Sequence, residues 1–294
     1  MKIYINGLFY PKEEAKISVF DHGLLYGDGV FEGIRAYNRR VFRLERHIER
    51  LFYSAKAINL SIPLSPEEFS EAILETCRQN EIENGYIRAV VTRGIGDLGL
   101  NPLHCQQPTI FIIADKILLY NPKIYQEGLT VRTVSTRISS HSSISPAIKS
   151  LNYLNKILAK IEANLSGADE GLLLNQLDHI AECTSENIFL VKNGIVMTPP
   201  VSAGLLPGIT RETILSLAKE MELKTEEKNL VLYDIWTAEE VFITGTGAEI
   251  APVVEVDGRP IGKRKPGEIT LLLMKKFREL TQHSGVHIYA KEDS

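Results

Sequence analysis

Lys149 and Glu182 are the residues whose types and surroundings most clearly suggest chemistry. Lys149 directly follows a serine-rich loop at residues 137–148, and Tyr153 lies four positions later in an apolar segment. A lysine in a dry, polar-lined pocket can lose its proton and attack an aldehyde, forming a Schiff base. Glu182 lies just before the apolar segment 187–191, which reads as a buried strand. A carboxylate at the edge of such a strand requires a partner if it is buried.

Together these two groups match the chemistry of pyridoxal 5′-phosphate (PLP). That cofactor needs a lysine on its aldehyde carbon and an acid that pairs with its protonated ring nitrogen. Each residue alone has a simpler explanation, since most lysines are solvated and Glu182 could be an acid in a solvated turn. Small or apolar residues flank Lys149 on both sides, however, so its stem is expected to point into the fold. The pair therefore predicts a PLP site.

A PLP site also needs a group of donors for the phosphate, and three parts of the sequence are candidates. Residues 207–213 open a helix with Pro-Gly-Ile-Thr, and the first N–H groups and the dipole of a helix favour an anion. Residues 244–249 contain glycines that let backbone amides approach an anion. Arg50 shares a helical surface with His47, three positions away. Taken alone, residues 207–213 are better explained as an ordinary Pro-Gly turn before a helix. The other two candidates are equally compatible with a plain turn or a solvated helix face.

Composition and charge narrow the class of protein. The chain has 294 residues, 44% hydrophobic and 24% charged, as is typical of a globular protein with one large or two ordinary domains. Its net charge of -4 gives no indication of a nucleic-acid or membrane partner. Cys77, Cys105 and Cys183 are odd in number and far apart, which argues against a disulfide framework or a zinc site and fits a reducing cytoplasm. No apolar run approaches the ~18 residues of a membrane span, and the first residues read as a strand and turn rather than a signal peptide.

The patterning predicts a mixed α+β fold of two domains. A small N-terminal α/β domain is expected over residues 1–115, a linker over 116–128, and a larger C-terminal domain over 129–294. Turn signals predict hairpins at Asn6-Gly7, Asn193-Gly194 and Asp257-Gly258. Helices are predicted from Leu44 onward, from a capping box at Ser65–Glu68, and over 150–165, 209–221 and 267–282. Strands are predicted over 29–37, 41–43, 86–93, 109–114, 129–136 and 240–244.

The order of these motifs resembles the class IV PLP-dependent aminotransferases of fold type IV, and within them the branched-chain amino acid aminotransferases. The resemblance covers nearly the whole chain. It is carried by residues 26–35, 86–88, 99–102, 149–154, 182–189, 206–210 and 244–249. Any one of these segments is only suggestive, whereas the set in this order is highly specific.

The resemblance implies specific roles around the cofactor. Lys149 is expected to be the Schiff-base lysine and the proton shuttle, and Glu182 the partner of the pyridine nitrogen. Tyr153 is expected to hydrogen-bond the phenolic oxygen of PLP, and Leu206 to pack on the ring. The phosphate is expected to be held by Arg50, Ile209, Thr210 and Thr246.

The resemblance also implies roles around the substrate. Tyr86 and the amides near Thr246, Gly247 and Ala248 are expected to receive the α-carboxylate. Arg88 is expected to meet the distal carboxylate of glutamate, with Arg35 as the alternative. The apolar side-chain pocket is expected to be shaped by Tyr26, Phe31, Gly33 and Leu100. Tyr26 and Leu100 would reach the pocket of a neighbouring subunit, so the expected assembly is a homo-oligomer, at least a dimer.

The implied activity is transamination of L-leucine, L-isoleucine and L-valine with 2-oxoglutarate, as in amino-acid biosynthesis. Two enzymatic alternatives share the fold: a D-amino acid aminotransferase, and a 4-amino-4-deoxychorismate lyase that uses the same lysine. The spacing from Lys149 to Tyr153 is one residue shorter than in many branched-chain enzymes and also occurs in the D-amino acid enzymes. Tyr120 and Tyr125 are candidates to line the substrate pocket. A non-enzymatic alternative is a folded PLP carrier or structural protein, but the full set of catalytic residue types argues against it.

Overall fold

The structure is a computed structural model that describes residues 1–115 and 121–289. Its strands are β1 (Lys2–Ile5), β2 (Leu8–Pro11), β3 (Gly29–Tyr37), β4 (Arg40–Val41), β5 (Gly85–Thr92), β6 (Thr109–Asp115), β7 (Leu129–Thr133), β8 (Glu170–Leu174), β9 (Ile180–Cys183), β10 (Asn187–Lys192), β11 (Ile195–Thr198), β12 (Thr225–Glu227), β13 (Glu240–Gly245), β14 (Glu249–Val256), β15 (Arg259–Pro260) and β16 (Val286–His287). Its helices are α1 (His22–Tyr26), α2 (Leu44–Ala57), α3 (Pro66–Gln79), α4 (Ile124–Glu127), α5 (Leu154–Leu165), α6 (Ile209–Glu220), α7 (Leu232–Trp236) and α8 (Glu268–His283).

The chain divides into two compact units. The described residues of the first unit are 1–115, 148–152 and 281–289, and those of the second are 121–147 and 153–280. The short segment that contains Lys149 thus belongs to the first unit, although it follows a long stretch of the second. The predicted domain boundary within 116–128 stays a prediction, and Tyr120 lies outside the described residues.

The first unit is a seven-stranded sheet in the order β16-β4-β3-β5-β6-β1-β2, within the part of the chain that the structure describes. Neighbouring strands are antiparallel throughout. Side chains alternate between the faces of a strand, so Val30 and Ile34 of β3 join the core with Leu51 of α2 and Phe69 of α3. The alternate residues Phe31, Gly33, Arg35 and Tyr37 lie on the opposite face. The predicted capping box at the start of α3 is confirmed.

The second unit is a mixed nine-stranded sheet, again counting described residues. Eight strands run in the order β12-β11-β10-β13-β14-β7-β8-β9, and β15 pairs with β14. The central strands β10 and β13 are buried along most of their length, and Phe189 stacks on Phe242 with ring centroids 5.0 Å apart. Near-continuous apolar strands of this kind are expected where both faces of a sheet are covered. The mixed α/β character predicted for the chain is confirmed.

The elements differ from the sequence predictions mainly at irregular segments. The three predicted hairpins are confirmed. The predicted helix over 150–165 begins only at Leu154, because Ser150 forms an isolated bridge with Val30 of β3. The predicted strand at 41–43 is shorter and occupies Arg40–Val41. No helix among residues 1–115 and 121–289 is long and apolar enough to cross a membrane.

Candidate functional site

The first unit gathers five of the predicted site residues on one face of β3 and β5. Phe31, Gly33 and Arg35 alternate along β3, and the antiparallel register pairs Gly33 with Arg88 and Arg35 with Tyr86. The Arg88 guanidinium lies 4.5 Å from the centre of the Phe31 ring, and its Nη2 donates to Tyr86 Oη over 3.1 Å. One surface therefore offers an aromatic ring, a phenol and a guanidinium side by side.

Lys149 reaches the same face from a segment that runs alongside β3. The Lys149 carbonyl accepts a hydrogen bond from the Phe31 amide, 2.9 Å, and the Lys149 amide donates to Ser54 Oγ, 3.1 Å. These bonds fix the backbone on both sides of the residue. Its Nζ lies 4.7 Å from the centre of the Phe31 ring. A lysine held in this way presents its amine at a defined place beside an apolar surface.

Gly33 is required by the close approach of Tyr86. A Cβ atom at position 33 would lie 1.9 Å from Tyr86 Oη, nearer than any real contact allows. The absence of a side chain thus lets the phenol lie across β3. The prediction that Gly33 shapes the substrate pocket gains a physical reason, although the role itself stays a prediction.

Arg50 lies on the opposite face of β3, in a buried network that the sequence did not reveal. Its Nε and Nη2 donate to the two oxygens of Glu32, 2.6 and 2.8 Å, and His47 Nδ1 lies 2.8 Å from the same carboxylate. Burial raises the pKa of Glu32, but Arg50 and His47 outweigh burial and hold that pKa well below its usual value. Burial lowers the pKa of His47. Glu32 therefore orients Arg50, whose role toward a phosphate stays a prediction.

Tyr26 and Leu100 lie in exposed segments of the first unit. Tyr26 ends α1 and donates to the Leu98 carbonyl, 2.5 Å, while Leu100 is 78% exposed. Several large apolar side chains in these two segments are also exposed: Val19, Phe20, Leu24, Ile95, Leu98 and Leu103. An apolar surface of this extent typically marks a contact with another chain.

On the second unit, Glu182 is the centre of the predicted cofactor residues. It lies on β9 and is only 2% exposed. Its Oε2 accepts from the Leu206 amide, 3.1 Å, and from Asn187 Nδ2, 3.4 Å. Asn187 also donates to the Leu206 carbonyl, 3.0 Å. Leu206 is thereby fixed next to the carboxylate, as expected of a residue that would pack on a ring bonded to Glu182.

Two predicted phosphate segments adjoin this carboxylate. Helix α6 begins at Ile209, and its N-cap residue Gly208 has no side chain to cap the first N–H groups. Residues 246–248 form the turn between β13 and β14, since Gly245 pairs with Glu249. The β10–β13 register pairs Asn187 with Thr244, so this turn emerges beside the start of β10. Tyr125 donates to the Ala248 carbonyl, 3.1 Å.

Lys156 is a functional candidate that the sequence analysis missed. It lies in the first turn of α5, and its Nζ donates to Glu182 Oε1 over 2.7 Å. The Nζ is also 5.1 Å from the centre of the Tyr153 ring. The available signal was weak: Lys156 interrupts the apolar and small residues of the helix, but lysines do so on any solvated helix.

The residues of the second unit fit PLP. Glu182 is a buried acceptor suited to a protonated ring nitrogen, and the uncapped start of α6 supplies N–H donors for a phosphate. Thr244 Oγ1 is buried and finds no hydrogen-bond partner in the described part of the chain. These are the donors and the acceptor that the cofactor requires. Leu206, which contacts Glu182, is followed closely by Gly208 at the start of α6, so the acceptor and the helix N-terminus are connected by a short segment.

Comparison with known proteins agrees with this chemistry. The family model described as amino-transferase class IV matches residues 29–256. A Methanocaldococcus jannaschii protein, provisionally named a branched-chain-amino-acid aminotransferase, is 52% identical over 98% of this chain and 99% of its own. The Pseudomonas aeruginosa branched-chain-amino-acid aminotransferase is 39% identical over 95% of this chain and 92% of its own.

Solved structures are similar over nearly the whole chain. A crystal structure of the Escherichia coli branched-chain amino acid aminotransferase has a TM-score of 0.93 at 34% identity, covering 100% of this chain and 97% of that one. The Thermobaculum terrenum branched-chain amino acid aminotransferase, crystallised in its PLP form, has a TM-score of 0.89 at 30% identity, covering 96% and 94%. The predicted fold type is confirmed by these similarities.

Proposed function

The chain belongs to the class IV aminotransferases, and on this premise we propose that it transfers the amino group of L-leucine, L-isoleucine and L-valine to 2-oxoglutarate. The products are the branched 2-oxo acids and L-glutamate. The protein is a transaminase that uses PLP and acts on amino acids and 2-oxo acids. The observation that carries the choice of substrates is the arrangement of Phe31, Tyr86 and Arg88 beside the Lys149 amine.

The surface formed by these side chains suits two kinds of substrate. An aromatic ring offers an apolar contact for an aliphatic side chain, where each methylene contributes about 0.8 kcal/mol. An apolar surface alone cannot hold the distal carboxylate of glutamate, because an unpaired buried charge is strongly unfavourable. The Arg88 guanidinium supplies the missing partner, since arginine binds carboxylates through two parallel hydrogen bonds.

The proposed mechanism assigns each step to a residue. When bound, PLP supplies an electron sink that stabilises negative charge on the substrate α-carbon. Lys149 anchors the cofactor, and its released amine takes the proton from the α-carbon and later returns it. Glu182 would pair with the ring nitrogen, and Tyr153 would donate to the phenolic oxygen. The uncapped amides of Ile209 and Thr210, with Arg50 and Thr246, would hold the phosphate.

Half-reaction spectroscopy tests the proposed substrates. L-leucine added to the PLP-bound enzyme should change its absorbance spectrum completely from that of PLP to that of pyridoxamine phosphate. Addition of 2-oxoglutarate should then restore the PLP spectrum. D-alanine should leave the spectrum unchanged, and 4-amino-4-deoxychorismate should release no pyruvate. A complete response to D-alanine but not to L-leucine would instead favour the D-amino acid aminotransferase.

Replacement of Arg88 by leucine should separate the two half-reactions. Loss of a hydrogen-bonded charge partner costs about 1.5–3 kcal/mol. The second-order rate constant of the half-reaction with glutamate should therefore fall roughly 10- to 100-fold. The reaction of leucine should change little. Single-turnover kinetics with each amino acid measures both effects, and Arg35→Leu serves as the comparison. Equal losses for both substrates would mean that Arg88 supports the fold, and a glutamate-specific loss in Arg35→Leu would transfer the role to Arg35.

We expect the active form to be at least a dimer. The exposed Tyr26 and Leu100 segments support this assembly, as do Leu154, Leu158 and Leu165, which form an exposed apolar stripe on α5.

If Leu100 completes a neighbour's pocket, Leu100→Asp and Lys149→Ala subunits should each be inactive alone but active when co-expressed. Only the hybrid holds one pocket with both native residues. Light scattering gives the mass, and an active monomer would contradict the assembly. A cytoplasmic location likewise stays a prediction.

A further inference from the structure

The ion pair between Lys156 and Glu182 has no role in the proposed reaction. It nevertheless involves Glu182, the carboxylate that is expected to bind the ring nitrogen of the cofactor. Glu182 is buried and Lys156 is largely covered, with 2% and 13% of their side chains exposed. Burial lowers the pKa of Lys156, but the Glu182 carboxylate outweighs burial and raises that pKa well above its usual value. The pair is therefore an ammonium and a carboxylate, and Lys156 is protonated at every physiological pH.

The position of Lys156 in its helix makes this pairing significant. Lys156 lies in the first turn of α5, where the partial positive charge of the helix dipole disfavours a cation. A largely covered cation at that place needs a strong compensating partner. Glu182 has the same requirement, since an isolated buried carboxylate is highly unfavourable. Each residue thus stabilises the charge of the other.

We propose that Lys156 is a positioning residue that serves as the counterion of Glu182 while the cofactor is absent, so that the carboxylate is ionised and oriented before PLP binds. This proposal rests on the proposed role of Glu182 as the partner of the ring nitrogen. A carboxylate offers about four lone-pair positions. Lys156 Nζ, the Leu206 amide and Asn187 Nδ2 occupy three of them in the described contacts. One position remains for a ring N–H.

The counterion role has a consequence that a purely structural ion pair lacks. Without PLP, Lys156 is the one cation that pairs with Glu182 among residues 1–115 and 121–289. With PLP bound, the ring nitrogen supplies a second positive charge at the same carboxylate. Loss of Lys156 should therefore destabilise the cofactor-free protein more than the PLP-bound protein.

Lys160 provides a matched control. It lies one turn further along α5 and forms an ion pair of 3.0 Å with Glu170, which is also 2% exposed. Within the described residues, the hydrogen bonds of Glu182 are made with Lys156, Asn187 and Leu206 and not with this pair. Loss of Lys160 should destabilise the two forms equally, because PLP adds no charge to Glu170.

The experiment is thermal unfolding of the wild type, Lys156→Met and Lys160→Met, each stripped of cofactor and again with saturating PLP. The rise in Tm that PLP produces should be larger in Lys156→Met than in the wild type by at least about 2–4 °C. It should be unchanged in Lys160→Met. Lys156→Arg should restore the wild-type value, because a guanidinium can replace the ammonium as counterion.

The outcomes distinguish this proposal from the proposed function. If Lys156→Met lowers the Tm equally with and without PLP, as expected of the control, the pair is only a structural contact. That result would overturn the proposal. If the cofactor-free Lys156→Met does not fold, Lys156→Gln takes its place, since the amide keeps a donor but lacks the charge. A wild type that PLP does not stabilise at all would contradict the cofactor site itself.

Discussion

Lys149→Ala should lose transamination almost completely and should no longer retain PLP through a covalent bond. The variant lacks both the amine that anchors the cofactor and the base that moves the substrate proton, so a loss of at least ~10³-fold is expected. The measurement is single-turnover kinetics with L-leucine, together with mass spectrometry after borohydride reduction. In the wild type, the cofactor mass should be found on Lys149 only.

Lys156 is the relevant control for this prediction, because it is the lysine that contacts Glu182. Its ammonium is held by the Glu182 carboxylate, 2.7 Å away, and a protonated amine is not a nucleophile. Lys156→Arg should therefore keep the reducible linkage that Lys149→Ala loses. Cofactor mass on Lys156 in the reduced wild type would reverse the assignment of the two lysines.

Local sequence signals predicted the regular elements well because their causes are local. The capping box at Ser65 and Glu68 joins residues three positions apart, and the turn at Asn6-Gly7 needs only its own backbone conformations. The start of α5 was placed too early for the opposite reason. Leu151 donates to the Gly29 carbonyl, and a bond across more than a hundred residues overrides the helical pattern around it.

In the candidate site too, local sequence identifies the functional residues but does not reveal the distant residues that contact them. Lys149, Glu182 and Arg50 were identified by their neighbours in sequence, but the contacts that tune them are distant. Glu32, 18 positions from Arg50, and Lys156, 26 positions from Glu182, gave no pattern that marks them as partners. A buried charge requires compensation, yet this requirement does not say which residue supplies it.

Glu182→Gln should keep the fold and some PLP but should slow the reaction strongly. The neutral amide cannot hold the proton on the ring nitrogen, so the electron sink weakens. Loss of a stabilising term of about 3 kcal/mol corresponds to a rate reduced roughly 100-fold or more. Stopped-flow half-reactions with L-leucine measure the rate, and the absorbance spectrum of the bound cofactor reports its protonation.

The same substitution leaves Lys156 without its carboxylate, so stability and catalysis must be separated. Glu182→Gln with Lys156→Met removes both charges and should recover stability without recovering the rate, because the two residues are coupled through direct contact. Glu186→Gln is the control for a buried glutamate: burial, aided by Glu170, raises its pKa to about 7, so an amide there is a milder change. Near-normal turnover with an unchanged spectrum in Glu182→Gln would exclude this residue as the partner of the ring nitrogen. A rate that returned in the double variant would show instead that the unpaired Lys156, rather than the lost carboxylate, slows the reaction.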